Sequence, residues 1–513
     1  MTKKVVLLTL IALLIFAVSV GLVYSQYPWP TFHHDNLRTG YTSSPGPNLN
    51  LTLWTYDTGH DIYGPCPAVV DGILYISGGY GTSVYAMNAT TGAGIWNYTV
   101  VTWIVSSPAV VDGRVYFGGF DKNVTALDAM TGAFIWNFTT AGWIAASSPA
   151  VEDGVVYIGG GYGNAFYALN ATDGSQVWNY TLSNNVHSSP ALSEGMVYFG
   201  SFDRNVYALN MATGAKVWNY STAGNVFSSP AIANGFVYVG SYDGNLYALN
   251  ATTGEKLWNY TTGNWVAASP GVANGIVYVG SYDNNVYAFD ALTGAKLWNY
   301  TTGGAISSSP AISSNGFVYI GSGDNKTYAF DAETGAVVWT YQTNGDVFSS
   351  PSVVDGVVYA PSRDGKVYAI VGTLQAFDAV WQSQTYPVTV LSDSALSDFQ
   401  FSQPNMRVSI NATGPKGMSS FCNFTIPKSL LEGPWTVDVD GESVTPTVAE
   451  NDTYTFVYVP YTHTGTQVIT IKGSSVIPEY QTVVFMSAIL IATIVIALAT
   501  RMNRSRSKTP KAF

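Results

Sequence analysis

The sequence predicts an all-β protein: an eight-bladed β-propeller closed by an N-terminal strand, then a small β-sandwich, then one C-terminal transmembrane helix. Three observations carry this. Tryptophans recur at Trp54, Trp96, Trp136, Trp178, Trp218, Trp258, Trp298 and Trp339, a repeat of 40 to 42 residues. Each repeat contains three turn signals, which divide it into four strands. Beyond the repeats come an aperiodic β-rich stretch and the uncharged run from Thr482 to Thr500.

One repeat shows the pattern of all. Ser228-Ser229-Pro230-Ala231-Ile232 leads to a turn at Asn234-Gly235, and Val237-Tyr238-Val239-Gly240 follows. After a loop around Asp243-Gly244 come Leu246-Tyr247-Ala248-Leu249, the pair Thr253-Gly254 and finally Trp258-Asn259-Tyr260. Alternating apolar and small or polar residues between such turns mark half-buried strands, and Asn-Gly or Asp-Gly tolerates the positive φ of tight hairpins. A four-stranded sheet buries both faces when it stacks radially against its own copies, which is the logic of a propeller blade.

Counting inner strands sets the size of the ring. The Ser-Ser-Pro signal or a variant ends at Pro67, Pro108, Pro149, Pro190, Pro230, Pro270, Pro310 and Pro351. The last unit, from Ser349 to Ile370, has no Trp strand after it. An orphan strand of that type, Leu51 to Tyr56 with Trp54, precedes the first unit and is expected to complete the eighth blade, so that no edge is left open at the seam.

The unit Ser-Ser-Pro-Ala through Val-Tyr-x-Gly-Ser, then Tyr-Ala-Leu-Asn/Asp-Ala-x-Thr-Gly and Trp, resembles the quinoprotein-type (PQQ-like) propeller repeat. The lead-in from Pro28-Trp29-Pro30 to Gly40 is similar to the start of such domains. The resemblance spans roughly residues 27 to 372. It implies the propeller fold, and it admits two kinds of activity. The family includes quinone-dependent alcohol dehydrogenases and also non-enzymatic propellers such as the outer-membrane assembly lipoprotein.

The flanks speak of export. Lys3 and Lys4 precede an apolar run from Val5 to Val23, which reads as a signal peptide over residues 1–25, with an uncleaved N-terminal anchor as the alternative. The propeller is assigned to 26–372, a linker to 373–387 and the β-sandwich to 388–475. Phe421-Cys422-Asn423 and Ile426-Pro427-Lys428-Ser429-Leu430 in that last region resemble a module found beside the anchors of archaeal surface proteins. Residues 482–500 form the transmembrane helix, and 501–513, with Arg501, Arg504, Arg506, Lys508 and Lys511, form a cytoplasmic basic tail by the positive-inside rule. The bulk of the chain is therefore expected outside the cell.

Charge narrows the partners. Setting aside Lys3, Lys4 and the five basic tail residues leaves 14 of the 21 Lys and Arg against 32 Asp and Glu, a net of −18. Such a surface repels nucleic acid and anionic headgroups. The two cysteines, Cys66 and Cys422, have neither metal-ligand nor redox spacing. Cys66 stands where other units have the second Ser of Ser-Ser-Pro, so it reads either as a small buried side chain or as one end of a bridge between the domains. Sequons lie at Asn50, Asn88, Asn97, Asn123, Asn137, Asn170, Asn179, Asn219, Asn250, Asn259, Asn299, Asn325, Asn411, Asn423 and Asn451, six of them in Trp-Asn-Tyr/Phe-Thr/Ser on the outermost strand.

Candidate binding residues come from the one place where the units disagree. Ahead of the inner strands stand Asp61, Trp103, Trp143, Asn185, Asn225, Trp265, Ala305 and Asp346, with His187 and Phe227 two positions further on. Propellers bind at the channel mouth, and flat indoles with amides suit a carbohydrate or peptide; the alternative is that the tryptophans fill the channel. Catalytic and metal assignments are none. The dehydrogenases that the repeat resembles are expected to have a vicinal Cys pair, a calcium site and an Asp base, and this chain has no adjacent cysteines. Asp121, Asp203, Asp243, Asp283 and Asp324 recur at one turn, which is turn chemistry. The reading is a membrane-anchored binding or assembly module without a cofactor, partnered by a surface glycan or protein and not by nucleic acid. A PQQ-dependent enzyme with calcium, or a glycan-active one, is the alternative.

Overall fold

The computed structural model describes residues 28–473 except 90, 372, 373, 382, 393, 414–418 and 463. The expected signal peptide, transmembrane helix and basic tail lie outside these residues. Among the described residues no helix is long and apolar enough to cross a membrane.

Eight four-stranded antiparallel sheets form the first unit. Seven are continuous in sequence: blades 1 to 7 occupy 68–99, 109–139, 150–181, 191–221, 231–261, 271–301 and 311–342. Blade 8 combines Ser352–Val354, Val357–Pro361 and Lys366–Val371 with Leu51–Asp57, which pairs antiparallel to Lys366–Val371 and sets Trp54 opposite Ala369. Each innermost strand lies against the next, and that of blade 8 lies against that of blade 1, so the ring is closed.

The repeat has a packing reason. In blade 5, Ala231 faces Tyr238, Tyr238 faces Ala248 and Ala248 faces Trp258, so small and large residues alternate across the sheet. Apolar clusters lie between blades; Tyr198 and Trp218 of blade 4, for instance, pack with Val237, Tyr247 and Leu249 of blade 5. The Trp218 indole donates to the Ala251 carbonyl of the next blade at 2.9 Å. Its ring lies on the Cα of Gly254, which has φ of 74°; an added Cβ would stand 2.6 Å from the indole, so the Thr-Gly signature is imposed by both backbone and space. The Ser-Ser-Pro signature is equally structural. Ser228 Oγ accepts the Gly240 N–H, and Ser229 Oγ accepts the Ser189 N–H of the preceding blade.

Residues 29 to 44 run beneath the ring and hook onto it blade by blade. Trp29 pairs with Val69, and the Val110, Leu192, Ile232, Val272 and Ile312 N–H groups donate to carbonyls of Pro30, Asn36, Leu37, Thr39 and Gly40. Arg38 is fully buried and donates to the Pro149, Pro190 and Phe32 carbonyls and to Thr31 Oγ1. Burial lowers its pKa to about 10, which leaves it cationic at neutral pH.

The second unit consists of two five-stranded sheets around one apolar core that includes Cys422, Phe424, Val457 and Ile469. The segment expected as a linker over 373–387 is instead mostly strand. Leu374–Trp381 pairs with Gln384–Ser392, and the unit begins there rather than at Val388. Pro387 lies within Gln384–Ser392, and the ladder to the following partner strand covers only Thr389 to Ser392, so the proline removes no donor from it. Cys66 is buried in the propeller as a thiol, its pKa pushed up to about 12 chiefly by burial, and Cys422 is buried separately in the second core.

Candidate functional site: an aromatic channel mouth

The loops that carry the recurring Asp build the mouth. Asp243 Oδ1 accepts the Asn245 N–H, while its Oδ2 accepts the Tyr247 hydroxyl and the Ala223 N–H of the preceding loop. Burial pushes Asp243 up, but these hydrogen bonds outweigh it and hold the carboxyl below its ordinary value. Asp203, Asp283 and Asp324 likewise accept from the preceding loop, whereas among the described residues Asp121 bonds only to Asn123 of its own loop, so the recurring Asp is engaged in loop structure.

A cavity of about 290 Å³ lies on the ring axis, lined by residues from all eight blades and capped on one side by Phe32 of the lead-in. Its floor is a serine belt. The Cys66 N–H donates to Ser107 Oγ, Ser107 N–H to Ser148 Oγ, and so on through Ser189, Ser229, Ser269 and Ser309 to Ser350. Cys66 is the one break in the belt.

Above the belt stands a crescent of rings in continuous contact. It runs from Phe348 to Tyr63, Tyr80, Trp103, Phe120, Trp143, Tyr162 and His187. From there it passes through Phe202, Phe227, Tyr242 and Trp265 to Tyr282. Tyr242 and Trp265 stack at 4.7 Å and 9°. The crescent is interrupted in blades 7 and 8, where Gly323 and Arg363 replace the loop aromatic. Arg363 is bound by both oxygens of Asp61, sits 3.3 Å from Asp346 and covers the Tyr63 ring.

The sequence-predicted residues divide cleanly. His187 and Phe227 line the cavity; Asp61, Trp103, Trp143, Asn185, Asn225, Trp265 and Asp346 do not. Their shared task is in the main chain. In every blade the carbonyl at this position accepts an N–H from the following loop, as with Trp103 and Phe120, Asn185 and Phe202, or Asp346 and Arg363. Because the backbone does the work, the side chain is free to vary. The three tryptophans stand on the rim, 47 to 51% exposed. Missed in sequence were the loop rings Tyr80, Phe120, Tyr162, Phe202, Tyr242 and Tyr282. Their signal was present: an aromatic at the same loop position in six successive units.

Burial sets the site's protonation. His187 is lowered to about 4 by burial, and its Nδ1 is buried without a hydrogen-bond partner among the described residues. Tyr63 is pushed up to about 12 by burial, then by the neighbouring Tyr282 and Tyr80 phenols. At neutral pH the walls are therefore uncharged rings and hydroxyls.

The family model described as outer membrane protein assembly factor BamB, PQQ_2, matches residues 50–144, 120–232, 221–314 and 301–400. The chain belongs to that family. No curated protein matches it. Among solved structures, BamB from Moraxella catarrhalis is 20% identical, with 63% of this chain and 100% of that one covered and a TM-score of 0.54. A europium-containing methanol dehydrogenase is 15% identical, covering 73% of this chain and 91% of the other at TM-score 0.58. The quinohemoprotein alcohol dehydrogenase from Comamonas testosteroni is 17% identical, covering 69% and 83% at 0.59. These likenesses show a shared propeller fold.

A calcium-held quinone does not fit the residues present. The cavity wall contains no carboxylate, Asp61 and Asp346 are held by Arg363, and the recurring loop Asp carboxylates accept hydrogen bonds from the loops themselves. Among the described residues no three His, Cys, Asp or Glu stand together as a metal site.

Proposed function

We propose that this family member is an exported propeller, anchored by its C-terminal helix, that binds a surface saccharide at the aromatic mouth without transforming it. The observation that carries this reading is the crescent of contacting rings with Trp103, Trp143 and Trp265 half-exposed on its rim. Indole faces stack on the apolar face of a sugar ring, and the phenols and His187 supply hydroxyl and imidazole partners for its polar edge. A cavity of about 290 Å³ accommodates the end of a glycan rather than a long segment. The apolar flanks and the basic tail support export and anchoring.

The test is a fluorescence titration of the purified full-length protein in detergent with a panel of neutral and acidic oligosaccharides. Saturable binding that weakens at least tenfold in Trp143→Ala and Trp265→Ala supports the reading. Saturable binding of pyrroloquinoline quinone with calcium, accompanied by alcohol or sugar oxidation, would replace it with an oxidoreductase.

A further inference from the structure

The outermost strands carry a feature that the channel does not use. In blades 1 to 6 they present Ile95, Ile135, Val177, Val217, Leu257 and Leu297 to solvent, each 36 to 50% exposed. Two residues on stand Asn97, Asn137, Asn179, Asn219, Asn259 and Asn299, all exposed, each followed at the second position by Thr or Ser. Residues two apart in a strand share a face, so the aliphatic group, the amide and the hydroxyl point the same way. These strands are also sheet edges, and an edge with exposed branched residues invites pairing with another chain.

Blades 7 and 8 differ. Their outer strands keep the aliphatic residue, as Val338 and Leu53, but have Thr340 and Thr55 where the others have Asn. The two bare blades are adjacent, and the chain leaves the propeller through blade 8.

The structure sorts the other sequons differently. Asn88, Asn123, Asn170, Asn250, Asn325, Asn411 and Asn423 are half-buried. Asn88, Asn170 and Asn250 accept backbone N–H groups within tight turns, and the exposed Asn451 does the same. Asn50 is exposed and precedes the outer strand of blade 8 rather than lying on it; its amide donates one hydrogen to the Thr340 carbonyl. Asn219, Asn259 and Asn299 spend one amide hydrogen on the Asn of the adjacent strand, and each amide nitrogen carries a second.

We propose that the outer-strand asparagines of blades 1 to 6 carry N-linked glycans, which lie over the neighbouring aliphatic residues and block six of the propeller's eight outer sheet edges. This rests on the export half of the proposed function and is independent of the channel. The reaction requires a lipid-phosphate-linked oligosaccharide as donor. The amide nitrogen bonds to C1 of the first sugar, the C1–O bond to phosphate breaks, the lipid phosphate leaves and one amide proton is released. Blades 7 and 8 remain bare on the side where the chain continues to the second unit.

The experiment is glycopeptide mass spectrometry of the full-length protein purified from the membranes of its own cells, paired with protease shaving of intact cells. Sugar mass at most of the six sites, with Thr139→Ala abolishing it at Asn137 and Thr139→Ser preserving it, is the expected result. Protein accessible to shaving with all six asparagines unmodified overturns the proposal while leaving export intact. Protein inaccessible to shaving overturns the export reading as well. Modification confined to Asn88, Asn170 and Asn250 also overturns it. A sextuple Asn→Gln variant should self-associate in size-exclusion chromatography; one that folds and stays monodisperse would reject the covering role.

Discussion

His187 illustrates how single residues of the mouth are tuned by burial. Its imidazole packs against Tyr162 at 4.8 Å and Phe202 at 4.6 Å, and its pKa falls to about 4 because the cation would lose its water there. The unfolded chain would bind a proton near the ordinary value of about 6.5. Between those two values the unfolded state holds more protons, so stability is lost as pH falls from about 6.5 to about 4. His187→Phe removes that contribution. By pH 4 it should close up to about 3 kcal/mol of the wild-type loss, read as melting temperature against pH, since each pKa unit is worth about 1.36 kcal/mol. His33, lowered to about 4 chiefly by burial, remains in both proteins and cancels. Parallel pH curves for the two proteins would mean that the imidazole is hydrated.

At the scale of elements, the closing strand is the informative one. Leu51–Asp57 joins blade 8 from the far end of the propeller sequence, and Trp54 is buried with its indole donating to Ala89 at 2.9 Å. Trp218, in a blade that is continuous in sequence, makes the equivalent contact to the next blade. Truncating a buried Trp to Ala costs about 3–5 kcal/mol. Trp54→Ala and Trp218→Ala should therefore destabilise the propeller equally in urea denaturation. A much smaller loss at Trp54 would show that the seam contributes little and that the lead-in over 29–44 holds the ring shut by itself. The lead-in is the element that sequence reading placed but did not interpret. Trp29 and Gly40 were recognisable as a domain start, yet their successive backbone bonds to the innermost strands join groups far apart in the chain, and no local pattern records that. The linker over 373–387 failed for a different reason: Leu374–Trp381 and Gln384–Ser392 are neighbours in the chain and pair as a local hairpin, but they lie outside the 40-residue repeat that marked the other strands.

For the whole molecule, the propeller and the second unit each own a separate core, so each is expected to persist when the terminal regions are removed. Ending the chain after Glu479 should release it into the medium, and immunoblots of medium and membrane fractions would show this. Retention in the membrane would point to an uncleaved N-terminal helix and reverse the assignment of the anchor. The blade number, the four-strand unit and the ring closure were all legible beforehand, because a repeat that buries both sheet faces writes the same small and large residues at the same places in every copy. Thr-Gly, Ser-Ser-Pro and the closing Trp are each required by a contact between neighbouring blades, and such contacts recur once per unit. The site was legible only in part. Variation among the units drew attention to Trp103, Trp143 and Trp265, but it arises there because only the backbone carbonyl is used. Part of the cavity wall is made by loop rings that stay aromatic from blade 1 to blade 6. Periodicity in the chain reports what every blade must do for its neighbour. Which side chains converge on the axis, which carboxylates Arg363 holds, and which asparagines face solvent depend on the direction each strand gives its side chains once the ring has closed.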